Sequence, residues 1–500
     1  MAEAQEYDVV VVGSGGGAMT GAFLAQLAGL ATVVVEKTAL LGGTSAYSGG
    51  ACWLPGSQVQ QRAGIADSTE SAREYLAAVL DAPDRDDVEA FLAHAPALVA
   101  ELEADDAIDF EWLPFPEYYD APGRVPAGRS IQPTDVRRDE LPAGVGDLVR
   151  PPVERDRAGE AGRRTLSGGQ SLIARLLAGF LREGGTVLTE LPVTGLVTDG
   201  DRVVGVAGMT PEGPVEIRAR RGVLVAAGGF EGNAGERAAH GVPGDVAWTM
   251  APRGTNTGEP IAAAVAIGAA TDYRGVGWFC PGLEQPDGAG SFTLGFRSGL
   301  MVDATGHRYA NECLPYDRFG RIMAEREERI PSWFVFDSRE GGRLPAIAMP
   351  EGDPAAHLEA GTWVRADTVA ELAERIGVPA DALVATVDRF NDLCSNGVDE
   401  DFGRGADEYD TFFTGGAGPT PCDRAPFYAA RFVLSDLGTK GGLVTDAAGR
   451  VLREDGTAIA GLYAAGNSAA SVFGPHYPGP GAPLGSAMVF ASLAVRHMRA

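Results

Sequence analysis

Four consecutive valines, Val9 to Val12, run straight into Gly13-Ser14-Gly15-Gly16-Gly17-Ala18, and no other feature constrains the fold of this chain more strongly. β-branched residues favour strands. A strand with no polar alternation is buried on both faces, the situation of a parallel sheet covered by helices. A helical segment, Met19 to Leu30, and a second apolar strand, Ala31 to Glu36, complete a unit of the length that a parallel crossover requires. The turn after the first strand of such a unit holds a pyrophosphate when glycines admit the backbone and the next helix points its N-terminus at the charge. Gly13, Gly15 and Ala18 have that spacing, with alanine in the third place and Gly16 and Gly17 between. With 69 glycines in 500 residues, roughly one such spacing is expected by chance, so the strand-turn-helix context carries the inference. Glu36 ends the second strand, where a carboxylate accepts from ribose hydroxyls, and Lys37 stands beside it.

A second small-residue loop, Gly42-Gly43-Thr44-Ser45 followed by Ser48-Gly49-Gly50, comes soon after. A nicotinamide site has no need of it, whereas a flavin ring must lie flat against backbone. Strands are predicted at Gly185 to Leu188, Val193 to Val197, Val203 to Ala207, Val215 to Arg218, Gly222 to Ala227 and Gly461 to Ala465. The last two close on Gly228-Gly229 and Gly466-Asn467. FAD is therefore the expected cofactor, with Val193, Ala227, Gly228, Gly466 and Asn467 added to the candidate binding set. No second glycine-rich turn between strand and helix appears, so no dedicated NAD(P)H site is expected. Tyr477-Pro478-Gly479-Pro480-Gly481-Ala482-Pro483-Leu484-Gly485 cannot be regular structure. A final helix, Gly485 to Arg496, follows it. Pro483 and Leu484 sit at its mouth, where the helix dipole favours the negative charge of a reduced flavin.

Between Trp278 and Phe432 the texture shifts to more aromatics, with helices predicted at Thr368 to Ile376 and Pro379 to Ser395. The expected fold class is α/β. A Rossmann-like FAD-binding domain spans residues 1–276 and 438–500, and an inserted α+β catalytic, substrate-capping domain spans 277–437. Gly415-Gly416-Ala417-Gly418 is the nearest thing to a flexible linker. A net charge of −27 argues against nucleic-acid binding. No apolar stretch reaches the ~18 residues of a membrane span. Cys52, Cys280, Cys313, Cys394 and Cys422 lie too far apart for a metal or redox motif and fit reduced, mostly buried thiols. The acidic N-terminus lacks the character of a secretory signal, so a cytoplasmic protein is expected, with no metal.

Five further motifs stand out, and the three that bear a tyrosine are much more specific than the nucleotide loops. The five are Pro114-Phe115-Pro116-Glu117-Tyr118, Asn311-Glu312-Cys313-Leu314-Pro315-Tyr316-Asp317-Arg318, Asp399 to Gly405, Asp436 to Gly442, and the Tyr477 to Gly481 turn. On these motifs the chain resembles, over nearly its whole length, the 3-ketosteroid Δ1-dehydrogenases, flavoproteins related to fumarate reductase and succinate dehydrogenase. The resemblance implies 1,2-dehydrogenation beside a ketone. The Tyr477 hydroxyl and Gly481 N–H would hold the ketone, Tyr316 would remove the proton, and Tyr118 would assist it, although Tyr119 is adjacent. Departures from the family pattern at Pro475-His476 and Pro480 would shape the pocket, and His476 reads as a pocket or surface residue. A 3-ketosteroid would be the substrate and an external quinone or dye-like molecule the electron acceptor. FAD would be non-covalent, since no histidine or cysteine stands in a recognisable attachment motif. Two relatives in chemistry remain open: a Δ4-(5α)-dehydrogenase, and a fumarate-reductase-like enone oxidoreductase using Arg297, Arg318 or Arg404. A flavoprotein acting on tRNA is disfavoured by the charge, and anaerobic bleaching by substrate separates an enzyme from a passive flavin carrier.

Overall fold

In the computed structural model, which describes residues 5–211 and 213–500, the valine run is the buried half of β1 (Gln5–Val12). α1 (Gly16–Leu27) follows, and β2 (Thr32–Val35) lies parallel to β1 with Val12 level with Val35. The helix begins at Gly16 rather than Met19, because packing overrides the poor helix propensity of glycine. A Cβ on Gly17 would sit 2.8 Å from the Ala487 carbonyl oxygen of the last helix, so only glycine allows this approach.

α2 (Gly43–Tyr47) lies within the second glycine loop. α3 (Gly169–Arg182), absent from the predicted elements, turns Leu172, Ile173, Leu176, Leu177 and Phe180 inward and leads to β3 (Thr186–Leu188). β4 (Val193–Asp199) and β5 (Arg202–Thr210) form a hairpin that joins β6 (Gly213–Val225). The two strands expected in this last region are one. Its first half pairs antiparallel with β5 and its second half parallel with β1. The arginines that suggest a break mark this change of partner, and Arg220 reaches Asp8 and Glu6 of β1.

The second sheet follows in sequence: β7 (Gly277–Glu284), β8 (Gly290–Leu294), β9 (Leu300–Val302), then α4 (Tyr316–Ala324), β10 (Ser332–Asp337), β11 (Ile347–Met349), β12 (Trp363–Ala366) and β13 (Phe427–Thr439). Its order is β9-β10-β13-β7-β8-β11, with β12 also on β13. Helices Val369–Ile376, capped by the Thr368 side chain, and Ala380–Asn396 match the predicted ones closely. Leu372, Leu383, Val387 and Phe390 from these helices pack with Leu300 and Val335 of the sheet. The sheet agrees with the expected α+β class, but none of its strands is individually predicted. Its β7 strand is buried throughout yet reads GWFCPGLE, with neither alternation nor a β-branched run to signal it.

β14 (Arg450–Leu452), β15 (Ala458–Ala464) and α5 (Ala482–Arg499) return to the first sheet, whose order is β14-β15-β6-β1-β2-β3. The chain divides into two units, Met1–His240 with Ala251–Val276 and Gly438–Ala500, and Gly241–Met250 with Gly277–Leu437. Gly241–Met250, placed with the first part by the sequence pattern, groups with the second. There Thr249 Oγ1 donates to Asp436 Oδ1 at 2.7 Å, and the Met250 N–H to the Asp436 carbonyl at 2.9 Å. Gly415–Gly418 is an exposed loop inside the second unit. The cysteines are free thiols, all buried except the half-buried Cys394. Among the described residues no helix is long and apolar enough to cross a membrane, and no group of three side chains could hold a metal.

Candidate active site

At the β1–α1 turn Gly13 has φ +99°, and a Cβ there would lie 2.4 Å from the Ala226 carbonyl oxygen. Gly13→Ala should therefore cost about 1–3 kcal/mol of backbone strain and lower the FAD content of purified protein, read from its visible absorbance. The Gly16 N–H is taken by Ser45 Oγ at 3.0 Å, which ties the two glycine loops together. Among the described residues the N–H groups of Gly15, Gly17 and Ala18 meet no acceptor. Three unspent donors at a helix N-terminus suit a pyrophosphate.

Glu36, buried, accepts the Ser14 hydroxyl at 2.6 Å on one oxygen, and on the other the Thr38 N–H at 2.9 Å and the Thr38 hydroxyl at 3.0 Å. A carboxylate offers about four acceptor positions, so one remains for a ribose hydroxyl. Arg150 holds Thr38 in turn through Oγ1 at 2.7 Å. The Leu191 N–H donates to the Glu36 carbonyl at 2.9 Å, which brings Val193, at the head of β4, close to the same place. Lys37 is engaged with Glu259 at 3.0 Å and with Thr257. Around the flavin-side loops, the Asn256 amide reaches Thr44 Oγ1 at 3.4 Å. Ser468 Oγ accepts the Ala227 N–H at 2.9 Å and donates to the Gly228 carbonyl at 2.8 Å. Gly42 and Gly43 form the start of α2, Ser48 Oγ accepts the Gly50 N–H at 3.1 Å and Gly49 precedes it, while Gly466 and Asn467 lie in a single 3₁₀ turn.

The Tyr477–Gly481 turn has a one-sided hydrogen-bond balance. Its prolines have no N–H, so the carbonyls must find donors elsewhere. Pro478 O accepts the Tyr118 N–H at 3.1 Å and the Tyr75 hydroxyl at 2.6 Å; Gly479 O accepts the Ala482 N–H at 3.1 Å. Pro480 O accepts the Ser130 hydroxyl at 2.6 Å, and Gly481 O accepts the N–H groups of Trp53 and Gly485. The carbonyls of Pro478 to Gly481 are thus all engaged. The N–H groups of Gly481 and Leu484 meet no acceptor among the described residues, and Pro483 between them has none to offer. Gly481, at φ +81°, caps α5, and a Cβ on it would lie 2.1 Å from the Ala51 carbonyl oxygen.

Tyr118 and Tyr477 are both buried, with rings 5.1 Å apart edge to face. Tyr119 faces His476 instead, at 6.2 Å, so the structure separates two tyrosines that sequence alone leaves interchangeable. His476 Nε2 is 3.1 Å from Asp81, an exposed carboxylate. Beneath Tyr118 lies a group for which the sequence offered no role. Glu117 accepts from Trp53 Nε1 at 2.9 Å, from the Val125 N–H at 2.9 Å and from Arg129 Nε at 2.7 Å, while Arg129 also pairs with Asp67 at 2.9 Å. The Glu117, Asp67 and Arg129 side chains are all 0% exposed. The group's one sequence signal is the place of Glu117 within Pro114-Phe115-Pro116-Glu117-Tyr118.

In the second unit Tyr316 is the first residue of α4, buried, with its ring 4.7 Å from Phe292 edge to face. The loop leading to it is pinned. Asn311 donates to Asp410 at 2.7 Å and accepts the Cys313 N–H at 2.8 Å. Glu312 accepts the Met301 N–H at 3.0 Å, Arg308 twice at 2.8 Å and Arg404 at 3.1 Å; Arg308 also pairs with Asp399 at 2.7 Å. Two motifs distant in sequence are one buried ion network. Burial opposes ionisation of Glu312, but Arg308 and Arg404 outweigh it and hold its carboxyl below the ordinary range. Asp399 is likewise held low, by Arg308 against burial. Their folded-state values lie below the unfolded ones. The stabilisation is therefore present above pH ~4 and lost as pH falls below it. Urea unfolding should show this acid limb, and Glu312→Ala, which takes the carboxylate from Arg404 and leaves Arg308 with Asp399 alone, should cost about 3–5 kcal/mol.

Of the arginines that a fumarate-reductase-like chemistry would call on, Arg404 is buried in this network and Arg297 is paired with Glu340 at 2.8 Å. An FAD binding domain family model matches residues 8–484. The chain is 43% identical to the 3-oxosteroid 1-dehydrogenase of Rhodococcus opacus, over 99% of this chain and 98% of that protein. It is 35% identical to a 4-oxocyclohexanecarboxylate 2-dehydrogenase of Sinomonas cyclohexanicum, over 98% and 92%. The crystal structure of the 3-ketosteroid Δ1-dehydrogenase of Sterolibacterium denitrificans, in complex with 1,4-androstadiene-3,17-dione, matches at TM-score 0.87 and 31% identity, over 99% of this chain and 100% of that one. With glycine loops fit for a dinucleotide and full-length identity of this order, the chain belongs to the FAD-dependent 3-ketosteroid Δ1-dehydrogenase family.

Proposed function

We propose that this enzyme introduces the C1–C2 double bond into the A ring of 3-ketosteroids. The observation that carries the proposal is the turn that sets Tyr477 beside Tyr118 and leaves the Gly481 N–H unspent. Two donors on the ketone oxygen stabilise the developing enolate and so acidify the neighbouring carbon. Tyr316 takes the proton from C2 as general base, with Tyr118 assisting, while the C1 hydrogen leaves as hydride and C1=C2 forms. FAD, when bound, supplies the hydride acceptor. The residues fit to hold it are Gly13 to Ala18 at the pyrophosphate and Glu36 at the ribose. Gly42 to Ser45, Ser48 to Gly50, Ala227-Gly228, Gly466-Asn467 and Pro483-Leu484 suit the flavin, with Lys37 and Val193 completing the set. The cofactor is non-covalent, the protein is cytoplasmic, and an external quinone or dye-like acceptor reoxidises it.

Anaerobic addition of a 3-keto-4-ene steroid should bleach the flavin and yield the 1,4-diene; an unbleached flavin overturns the proposal, and a product unsaturated elsewhere assigns a different position. Denaturation should release FAD into the supernatant, and colour left on the precipitated chain would mean a covalent link. The Sinomonas relative is named for a monocyclic keto acid, on which the same clamp could act. A steroid is favoured by the higher identity, and kcat/KM for it should exceed that for 4-oxocyclohexanecarboxylate.

A further inference from the structure

The carbonyls of the Tyr477–Gly481 turn depend on groups far away in the chain, and two of those groups are side-chain hydroxyls. Tyr75, fully buried, donates to Pro478 O at 2.6 Å and accepts the Tyr119 N–H at 3.1 Å. One oxygen thus joins the residue after Tyr118 to the residue after Tyr477. Ser130, fully buried, donates to Pro480 O at 2.6 Å, on the other side of Gly479. Tyr75 and the indole against the turn are themselves held. The Arg129 guanidinium lies over the rings of Trp53 and Tyr75, at 5.5 and 5.6 Å, and is locked by Glu117 and Asp67. Trp53 Nε1 would lie 2.8 Å from a Cβ on Gly479, so the indole packs directly on the middle of the turn.

We propose that Tyr75 and Ser130 are positioning residues for ketone activation: by anchoring Pro478 O and Pro480 O they set the spacing between the Tyr477 hydroxyl and the Gly481 N–H. This rests on the assignment of Tyr477 and Gly481 to the ketone. The physical ground is that a proline-rich turn lacks its own ladder of hydrogen bonds, so its shape is set by whatever satisfies its carbonyls. A donor pair aimed at a developing oxyanion works only while its geometry is held, and displacement by about 1 Å can cost up to about 100-fold. Neither hydroxyl touches the turn's donors, so its removal acts through position and not through a lost contact to substrate.

Tyr75→Phe and Ser130→Ala each delete one oxygen. Steady-state kinetics with a 3-ketosteroid, on FAD-loaded protein and well below the melting temperature, should show kcat lowered about 10- to 100-fold with KM within about twofold. A merely structural role would lower the melting temperature and spare kcat under those conditions. In the Tyr477→Phe background, where the clamp is already broken, either second substitution should lower kcat by less than about twofold more. The proposal is overturned if both single variants keep kcat within about twofold of wild type, or if their losses multiply with that of Tyr477→Phe. Should Tyr75→Phe not accumulate folded, Ser130→Ala alone decides by the same criteria. If Tyr477→Phe itself is fully active, the ketone assignment fails, an outcome distinct from an inactive Tyr477→Phe beside fully active Tyr75→Phe and Ser130→Ala.

Discussion

Replacing Tyr316 with phenylalanine should lower kcat by about 1,000-fold while steroid still binds, because the ring keeps its place and only the hydroxyl proposed as proton acceptor is lost. The edge-to-face contact with Phe292 involves the ring alone, and the Asn311 and Glu312 anchors lie upstream of it, so phenylalanine fits the same position at the head of α4. Flavin reduction by steroid, followed by stopped-flow absorbance, should almost cease, while steroid should still perturb the oxidised spectrum. Wild-type activity should rise with pH as the base ionises, and the residual activity of the variant should lack that limb. A fully active Tyr316→Phe would move the base elsewhere, with Tyr118 the first candidate.

Tyr477→Phe should fail differently. The 5.1 Å packing on Tyr118 should survive and FAD remain bound, but one of the two proposed donors to the ketone is gone, so kcat should drop by about 100- to 1,000-fold. The alkaline limb should persist, because the base is untouched. Comparing pH profiles of the two variants separates clamp from base more sharply than the size of either loss. A near wild-type rate in Tyr477→Phe would remove it from the ketone.

The opening crossover was legible in the sequence because its signals are local: a β-branched run, a turn that requires positive φ at Gly13, and a helix that follows at once. The helix expected over Thr368 to Ile376 was legible for the same reason. The strands of the second sheet were not, although an α+β domain was expected, since β7 and β8 are buried on both faces and built from mixed residues whose pairing is long-range. Nor was the fusion of two expected strands into β6, where the register with β1 shifts between Ala219 and Gly222 yet the strand continues through Arg220 and Arg221. Three tyrosine-bearing motifs could be read as chemistry, but not which of Tyr118 and Tyr119 turns toward Tyr477.

By itself, then, the sequence determined the dinucleotide turn, the succession of glycine loops and the hydroxyls available for catalysis, since each depends on residue type and close spacing. Tertiary structure alone decided what holds them. Tyr75 and Ser130 meet their carbonyl partners across 403 and 350 positions, and Arg404 meets Glu312 across 92. Such pairings satisfy groups that a proline-rich turn or a buried loop cannot satisfy locally, and no short-range pattern encodes which distant side chain will supply the partner.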